Sequence, residues 1–268
     1  MNKEKRNRLE TIYENIFIGL VFIFLYIPII VVILFSFNTS KMNIVFEGFT
    51  LQWYGSFFAN RTLMESLYNT LIVAIASTVV SVIIGTIGAV GMSKYDFKGK
   101  KIVDLLLYVP IVIPEIVLGV AMLSIFTLMN MRMGLLTMTL GHITFCIPFV
   151  VISVRARLAG FDKSLEEASL DLGANPLKTF MNVTLPLIMP GVISGATLSL
   201  SLSLDDVIIS FFCSGPGSTT LPMKILDMEK HGVSPDVNAL STIITLIIIV
   251  AISLNTQSQV KKMKGEYA

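Results

Sequence analysis

Six blocks of about twenty residues or more run through this chain with almost no charge, and they restrict the fold more than any other feature. They lie at about 16–37, 67–92, 105–129, 133–154, 187–212 and 237–257. A hydrocarbon core about 30 Å thick takes roughly 20 apolar residues per helical crossing. The apolar residues come in long runs rather than alternating with polar ones. Of 268 residues 54% are hydrophobic and 14% charged, against about 25% charged in a soluble domain. The expectation is an all-α membrane protein, one transmembrane domain over residues 1–268 with six transmembrane helices. The third block is the least regular, because it contains Pro110, Pro114 and Glu115. The first follows a basic head, Lys3, Lys5, Arg6 and Arg8. Its apolar run is too long for a signal peptide and lacks a small-residue cleavage site, so it reads as a retained anchor.

Lys and Arg residues set the orientation. Fifteen of the 20 fall in the N-terminal head, the loop with Lys94, Lys98, Lys100 and Lys101, the loop with Arg155, Arg157, Lys163 and Lys178, and the tail with Lys261, Lys262 and Lys264. The other side holds Lys41, Arg61, Arg132, Lys224 and Lys230. Positive loops stay in the cytoplasm, so both termini are expected there, as an even number of spans also requires. Cys146 and Cys213 have neither metal-ligand nor redox spacing and read as packing residues. There is no low-complexity tract, linker or obvious repeat.

The loop at about 155–186 is the most informative part of the chain. Ser164 and Glu167 have capping-box spacing, which starts a helix near Leu165. Gly173 suits the left-handed position that ends such a helix. Asn175 followed by Pro176 starts a second one. Leu165, Ala168, Ser169 and Leu172 fall on one face, with Glu166 and Asp171 elsewhere. A helix this short is not stable alone in water and needs a surface to lie on. That surface is its own bundle or membrane lipid on one reading, and a partner protein on another.

The chain shows no chemistry of its own. The stretch from Gly173 to Thr179 lacks the first glycine and the spacing of a phosphate-binding loop. No nucleophile–base pair or metal cluster stands out, and nothing suggests nucleic acid. His142, inside the fourth block, reads more simply as a helix–helix hydrogen-bonding group than as a proton relay.

The intramembrane carboxylates are costly and ask for a reason. Asp205 and Asp206 end the polar flanks of the fifth block. Ser199, Ser203, Asp206 and Ser210 form one stripe; Ser194, Thr197, Ser201 and Asp205 form a second. Asp206, with more hydroxyls near it, is the favoured pathway residue. Glu115 follows two prolines that disturb its helix, and irregular backbone at membrane depth is tolerated where it lines a cavity or is buried. No Lys or Arg shares these blocks, so internal salt bridging does not neutralise the acids. Protonated carboxyls bonded between helices are one reading, and a cationic substrate is the sharper one.

Glu167-Ala168-Ser169, Gly173 and Val183-Thr184-Leu185-Pro186 resemble the "EAA" loop of ABC importer permeases, with Ser169 for the last Ala and Val183 for Ile. The runs Tyr26–Ile30, His142–Val150, Leu204–Val207 and Gly232–Leu240, with Trp53-Tyr54, resemble the C-type permease subunit of spermidine/putrescine ABC importers. That family has Asp where this chain has Glu115. The resemblance implies a MetI-like permease fold in a bacterial cytoplasmic membrane and a partner permease of similar fold. It also implies two copies of a cytoplasmic ATPase that binds the ATP, and an extracytoplasmic polyamine-binding protein. The chain itself would need no cofactor. Glu167, Ala168, Ser169, Gly173, Leu185 and Pro186 would couple to the ATPase. Asp205, Asp206, Glu115, Ser203 and Trp53 would line the polyamine path. Cation–π contact suits Trp53, although an interfacial anchor is its commoner role. A permease for another solute and a proton-driven carrier are the rival readings.

Overall fold

The computed structural model describes residues 3–40, 45–231, 235–246 and 249. In chain order the helices are α1 (Lys3–Phe35), α2 (Gln52–Ala59), α3 (Arg61–Lys94), α4 (Lys100–Val112) and α5 (Glu115–Leu128). Next come α6 (Leu135–Leu158), α7 (Ser164–Asp171), α8 (Pro176–Thr179) and a π-helical turn at Phe180–Thr184. They are followed by α9 (Leu185–Asp205), α10 (Ile208–Cys213) and α11 (Leu221–His231). Residues 235–246 are helical too. Two compact units divide the chain: Met1–Met64 with Asp227–Ala268, and Glu65–Leu226.

In the first unit α1 carries an apolar span, Tyr13–Phe35, none of whose window is buried among the described residues. Beyond α1, Asn38 organises the turn. It pairs with Phe49 in an antiparallel bridge, its Nδ2 donates to the Val45 carbonyl at 2.7 Å, and its own carbonyl accepts from Trp53 Nε1 at 2.6 Å.

The second unit is built around α6. Two helices lay a stripe of small residues against it. On α3 the stripe is Ser77, Ser81, Gly85 and Ala89; on α9 it is Gly191, Gly195, Ser199 and Ser203, all buried. A four-residue period keeps such residues on one helical face, and small side chains let backbones approach closely. The approach is close indeed. A Cβ on Gly85 would stand 2.7 Å from Val150, and one on Gly195 would stand 3.0 Å from Val150 Cα. The pairs Gly191 with Arg157, Gly195 with Val150 and Ser203 with His142 run in opposite directions along the two helices, so α9 is antiparallel to α6. One buried cluster, with Ala89, Val90, Val150, Val154, Ile188 and Val192, fills one end of the unit. The other, with Val73, Met122, Phe126, Met138, Phe145, Ile209 and Cys213, fills the opposite end.

Both basic loops sit at one end. Lys94 pairs with Glu166 at 2.7 Å, and Arg155 pairs with Asp104 at 2.6 Å. At the other end, Asn69 Nδ2 donates to the carbonyls of Gly217 and Thr219, and Thr137 donates to that of Cys213.

The expected spans need correction. Four described helical segments are long and apolar enough to cross: Tyr13–Phe35, Arg61–Lys94, Leu135–Leu158 and Pro176–Asp205. The block at 105–129 is no single helix. It splits into α4 and α5, bent by 114°, and makes a fifth crossing only if that pair counts as one. The break follows from Pro114, which disfavours helix at the preceding residue; Ile113 is extended, with φ −74° and ψ 135°. The fifth block begins earlier than expected. Pro186 has no N–H for the Asn182 carbonyl and clashes with it, and the chain passes this point by widening into the π turn. About half of the sixth block, 237–257, falls outside the described residues; 237–246 is helical.

Candidate functional site

Two sites emerge at opposite ends of the second unit. The first is the loop carrying α7. Ser164 does not cap this helix, contrary to the capping-box reading. It is the first residue of the helix, the cap position before it is Lys163, with helical backbone angles and no capping side chain, and Asp162 accepts the Ser164 N–H at 2.9 Å. That hydrogen bond holds the Asp162 carboxyl below its usual value. Gly173 does end the helix, at φ +86°. Gly173 N–H donates to the Leu170 carbonyl and Ala174 N–H to that of Ser169, the paired bonds of a Schellman cap. Asn175 caps α8 by accepting the Lys178 N–H at 2.8 Å.

The faces of α7 also differ from the expected ones. Ser169 turns inward, where its hydroxyl lies 3.0 Å from that of Thr179. Glu166 turns inward as well and meets Lys94 and the Thr184 hydroxyl. Burial works to raise the Glu166 pKa. The hydrogen bonds from Lys94 and Thr184, with the charges of Lys94 and Lys163, outweigh it and hold the carboxyl below its usual value. Left outward are Glu167, Ala168, Leu165 and Leu170, with Leu172 89% exposed. Leu185 packs at the edge of the buried cluster beneath, and Pro186 is exposed at the start of α9.

The second site is the end of α9. Ser199, Ser203, Asp206 and Ser210 form an inward-facing group, and all four are buried, but not as one helical stripe: α9 ends at Asp205, Asp206 is extended, and Ser210 reaches the group from α10. At its centre stands His142. Its Nδ1 lies 2.6 Å from Ser203 Oγ; its Nε2 lies 3.0 Å from Ser210 Oγ and 3.2 Å from an Asp206 oxygen. A ring protonated on Nε2 donates towards Asp206 and accepts from Ser203. Ser203 in turn lies 3.1 Å from Ser77 Oγ on α3. Asp206 also accepts the backbone N–H groups of Ile209 and Ser210, at 3.2 and 2.7 Å, and so caps α10. Salt bridging within the chain therefore does have a candidate, because His142 supplies the partner that a search for Lys and Arg overlooked.

The second stripe, Ser194, Thr197, Ser201 and Asp205, is exposed along its length. Among the described residues Asp205 has no hydrogen-bond or ion-pair partner, and the same holds for Glu115, the exposed first residue of α5. A carboxylate at a helix N-terminus is favoured by the helix dipole. Trp53 belongs to the first unit, where it is buried. Sequence reasoning placed His142 as a hydrogen-bonding group between helices, as its contacts to Ser203 and Ser210 bear out. It missed the pairing of His142 with Asp206, the Glu166–Lys94 pair, the stripe on α3 and the Gly191–Gly195 part of the stripe on α9. The stripes were readable, since each repeats every four residues.

Comparison with known proteins gives these features a setting. The model of the family described as "Binding-protein-dependent transport system inner membrane component" matches residues 77–260. The spermidine/putrescine transport system permease protein PotC of Escherichia coli K12 is 40% identical over 253 residues, covering 93% of this chain and 96% of that protein. The putrescine transport system permease protein PotI of the same organism is 39% identical over 230 residues, covering 83% of this chain and 82% of that protein. Among solved structures, a bacterial ABC transporter involved in the import of alginate aligns with TM-score 0.73 at 18% identity, covering 97% of this chain and 98% of that one. The MetNI methionine ABC transporter, in an inward-facing conformation, aligns with TM-score 0.56 at 21% identity, covering 75% and 94%. At those identities the structural matches speak for the fold alone. The family match and the near-full-length relatives establish more: the chain belongs to the binding-protein-dependent transport system inner membrane components, the permease subunits of ABC importers.

Proposed function

We propose that this permease carries polyamines such as spermidine or putrescine inward, with Asp205 and Glu115 as the carboxylates the cation meets. The observation that carries this is the exposed polar stripe ending in Asp205 on a helix long and apolar enough to cross a membrane. Such a face must meet water, a polar pathway or another subunit, because lipid cannot satisfy it. The relatives named for spermidine and putrescine support the choice of cargo. Weak, spaced acidic sites let a polycation enter and leave again. Asp206 and Ser203 stand behind that path as its fixed frame, and Trp53 packs the turn beside α2 instead of touching the substrate.

The energy comes from another subunit. A second permease of similar fold, two copies of an ATPase and an extracytoplasmic polyamine-binding protein complete the complex. The outward face of α7, with Leu165, Glu167, Ala168 and Leu172, docks in a cleft of the ATPase as a short helix lies in a groove. Gly173 sets its end, while Ser169, Leu185 and Pro186 hold its base. Both termini lie in the cytoplasm, on the side of the two basic loops.

Reconstituted complex, supplied with ATP and binding protein, tests the reading. Radiolabelled spermidine should enter, and unlabelled polyamines should compete where amino acids and iron chelates do not. ATP-driven import of a neutral or anionic solute, with none of spermidine or putrescine, would overturn the choice of cargo.

A further inference from the structure

We propose that Glu166, held between Lys94 and Thr184, is the strut through which α7 moves the membrane helices. The inference rests on the coupling role proposed for α7 and assigns that role's inner half to a positioning residue.

An eight-residue helix transmits a push only through what grips it. The outward side of α7 is open, with Leu165 47% and Leu170 45% exposed beside an exposed Glu167, and Leu172, just past its end, 89% exposed. Its inner side is held by few bonds: Glu166 to Lys94 at 2.7 Å, Glu166 to the Thr184 hydroxyl, and Ser169 to Thr179 at 3.0 Å. An open pocket of about 150 Å³, lined by Ser93, Leu158, Phe161 and Lys163 beside the ion pair, lies where packed side chains would otherwise join α7 to α3. The carboxylate thus replaces a packed surface as the link.

Its two partners belong to different helices. Lys94 is the last residue of α3, and Thr184 closes the π turn that leads into α9. Those two helices carry the small-residue stripes packed on α6, and the far end of α9 is Asp205. A displacement of α7 therefore reaches both flanks of α6 through one side chain. The ion pair is also partly shielded, with Lys94 30% and Glu166 15% exposed in their side chains, so water screens it less than a surface pair. Charge-assisted hydrogen bonds are short and strong for their kind, which suits a link that must not slip.

The test uses the whole complex in proteoliposomes, with spermidine-loaded binding protein outside the pathway entrance. Import per ATP hydrolysed, basal hydrolysis and retention of the ATPase during purification are measured for five forms: the parent, Glu166→Gln, Lys94→Gln, Lys94→Arg and the reversed pair Lys94→Glu/Glu166→Lys. The two neutral variants should keep the ATPase and its basal hydrolysis, because the outward face is intact. Their import per ATP should fall about tenfold, the scale expected when a charge-assisted hydrogen bond is lost. Lys94→Arg should stay near the parent, and the reversed pair should recover most of the loss. Parental coupling in both neutral variants would overturn the strut, as would a Lys94→Arg as poor as Lys94→Gln. Failure of the parental ATPase to bind at all would remove the coupling role of α7 and the strut with it. If the parent imports another solute instead of spermidine, only the cargo reading fails, and the strut stands or falls on the same ratio for that solute.

Discussion

A helix turns about 100° per residue, so neighbouring side chains at its end meet different surroundings. Asp205 and Asp206 show the consequence. Asp206 is 9% exposed and held by His142 and two backbone N–H groups, while Asp205 is exposed. Asp206→Asn should therefore act on stability. One carboxylate oxygen becomes an NH2 group that cannot accept, and leaving a buried donor unpaired costs about 1–3 kcal/mol. A thermal-unfolding midpoint several degrees below the parent in detergent is the expected result, with Asp205→Asn unchanged. In uptake the order reverses: Asp205→Asn should raise the KM for spermidine severalfold in membranes holding normal amounts of protein. An Asp205→Asn variant with the parental KM would place the substrate path elsewhere. From the sequence, both stripes were legible as far as helical periodicity holds, to Ser203 and Asp205; the break at Asp206, which puts Ser210 on α10, was not foreseen. Which stripe faces inward was not legible either. That depends on His142, some sixty residues earlier, and on α6 passing in front of one face.

At the scale of elements, close packing sets the limits. Gly195→Ile puts a branched side chain where even a Cβ would stand 3.0 Å from Val150 Cα. Overpacking of this kind costs about 1–3 kcal/mol, so the variant should unfold earlier than the parent, and Gly195→Ala should do so less. Gly173→Val forces a β-branched residue to φ +86°, where L-residues lose about 1–2 kcal/mol. Co-purification of the ATPase should drop while the membrane level of the permease holds. The pH dependence of the strut has a definite sign. Glu166 has a folded-state pKa below its ordinary value, so its contribution is complete above the unfolded value of about 4.3 and is lost as pH falls through the lower folded one. The unfolding-midpoint difference between parent and Glu166→Gln should stay constant from pH 7 to 5 and close only in more acid buffer. Local signals foretold much of this loop: Gly173 and Asn175-Pro176 sit where capping chemistry put them. The Ser164 capping box did not form, because Asp162 reaches the same N–H from two residues earlier. The pairing of Glu166 was not foreseen because its partners, Lys94 and Thr184, are distant or unremarkable in sequence.

For the whole molecule, the crossing helices were visible as uncharged blocks, and the all-α membrane class followed directly. The break at Pro114 was foreshadowed by its prolines, but not its 114° angle, which backbone geometry and neighbours decide together. The meeting of Lys94 with Glu166 and of Asp104 with Arg155 puts the two basic loops at one end of the second unit. Reporter fusions after Lys101 and after Lys178 should accordingly report the same compartment, the cytoplasm, and a fusion near Lys230 the opposite one. Opposite readings for the first two would contradict the fold itself. The central claim is that free carboxylates on this permease carry a polycation under ATP drive, and it has one direct measurement. Reconstituted complex with the Asp205→Asn/Glu115→Gln double variant is given ATP, binding protein and labelled spermidine. The account predicts that uptake falls at least about tenfold while basal ATP hydrolysis stays at the parental rate, since the cytoplasmic dock is untouched. Parental uptake by the double variant would mean that these carboxylates are not the path.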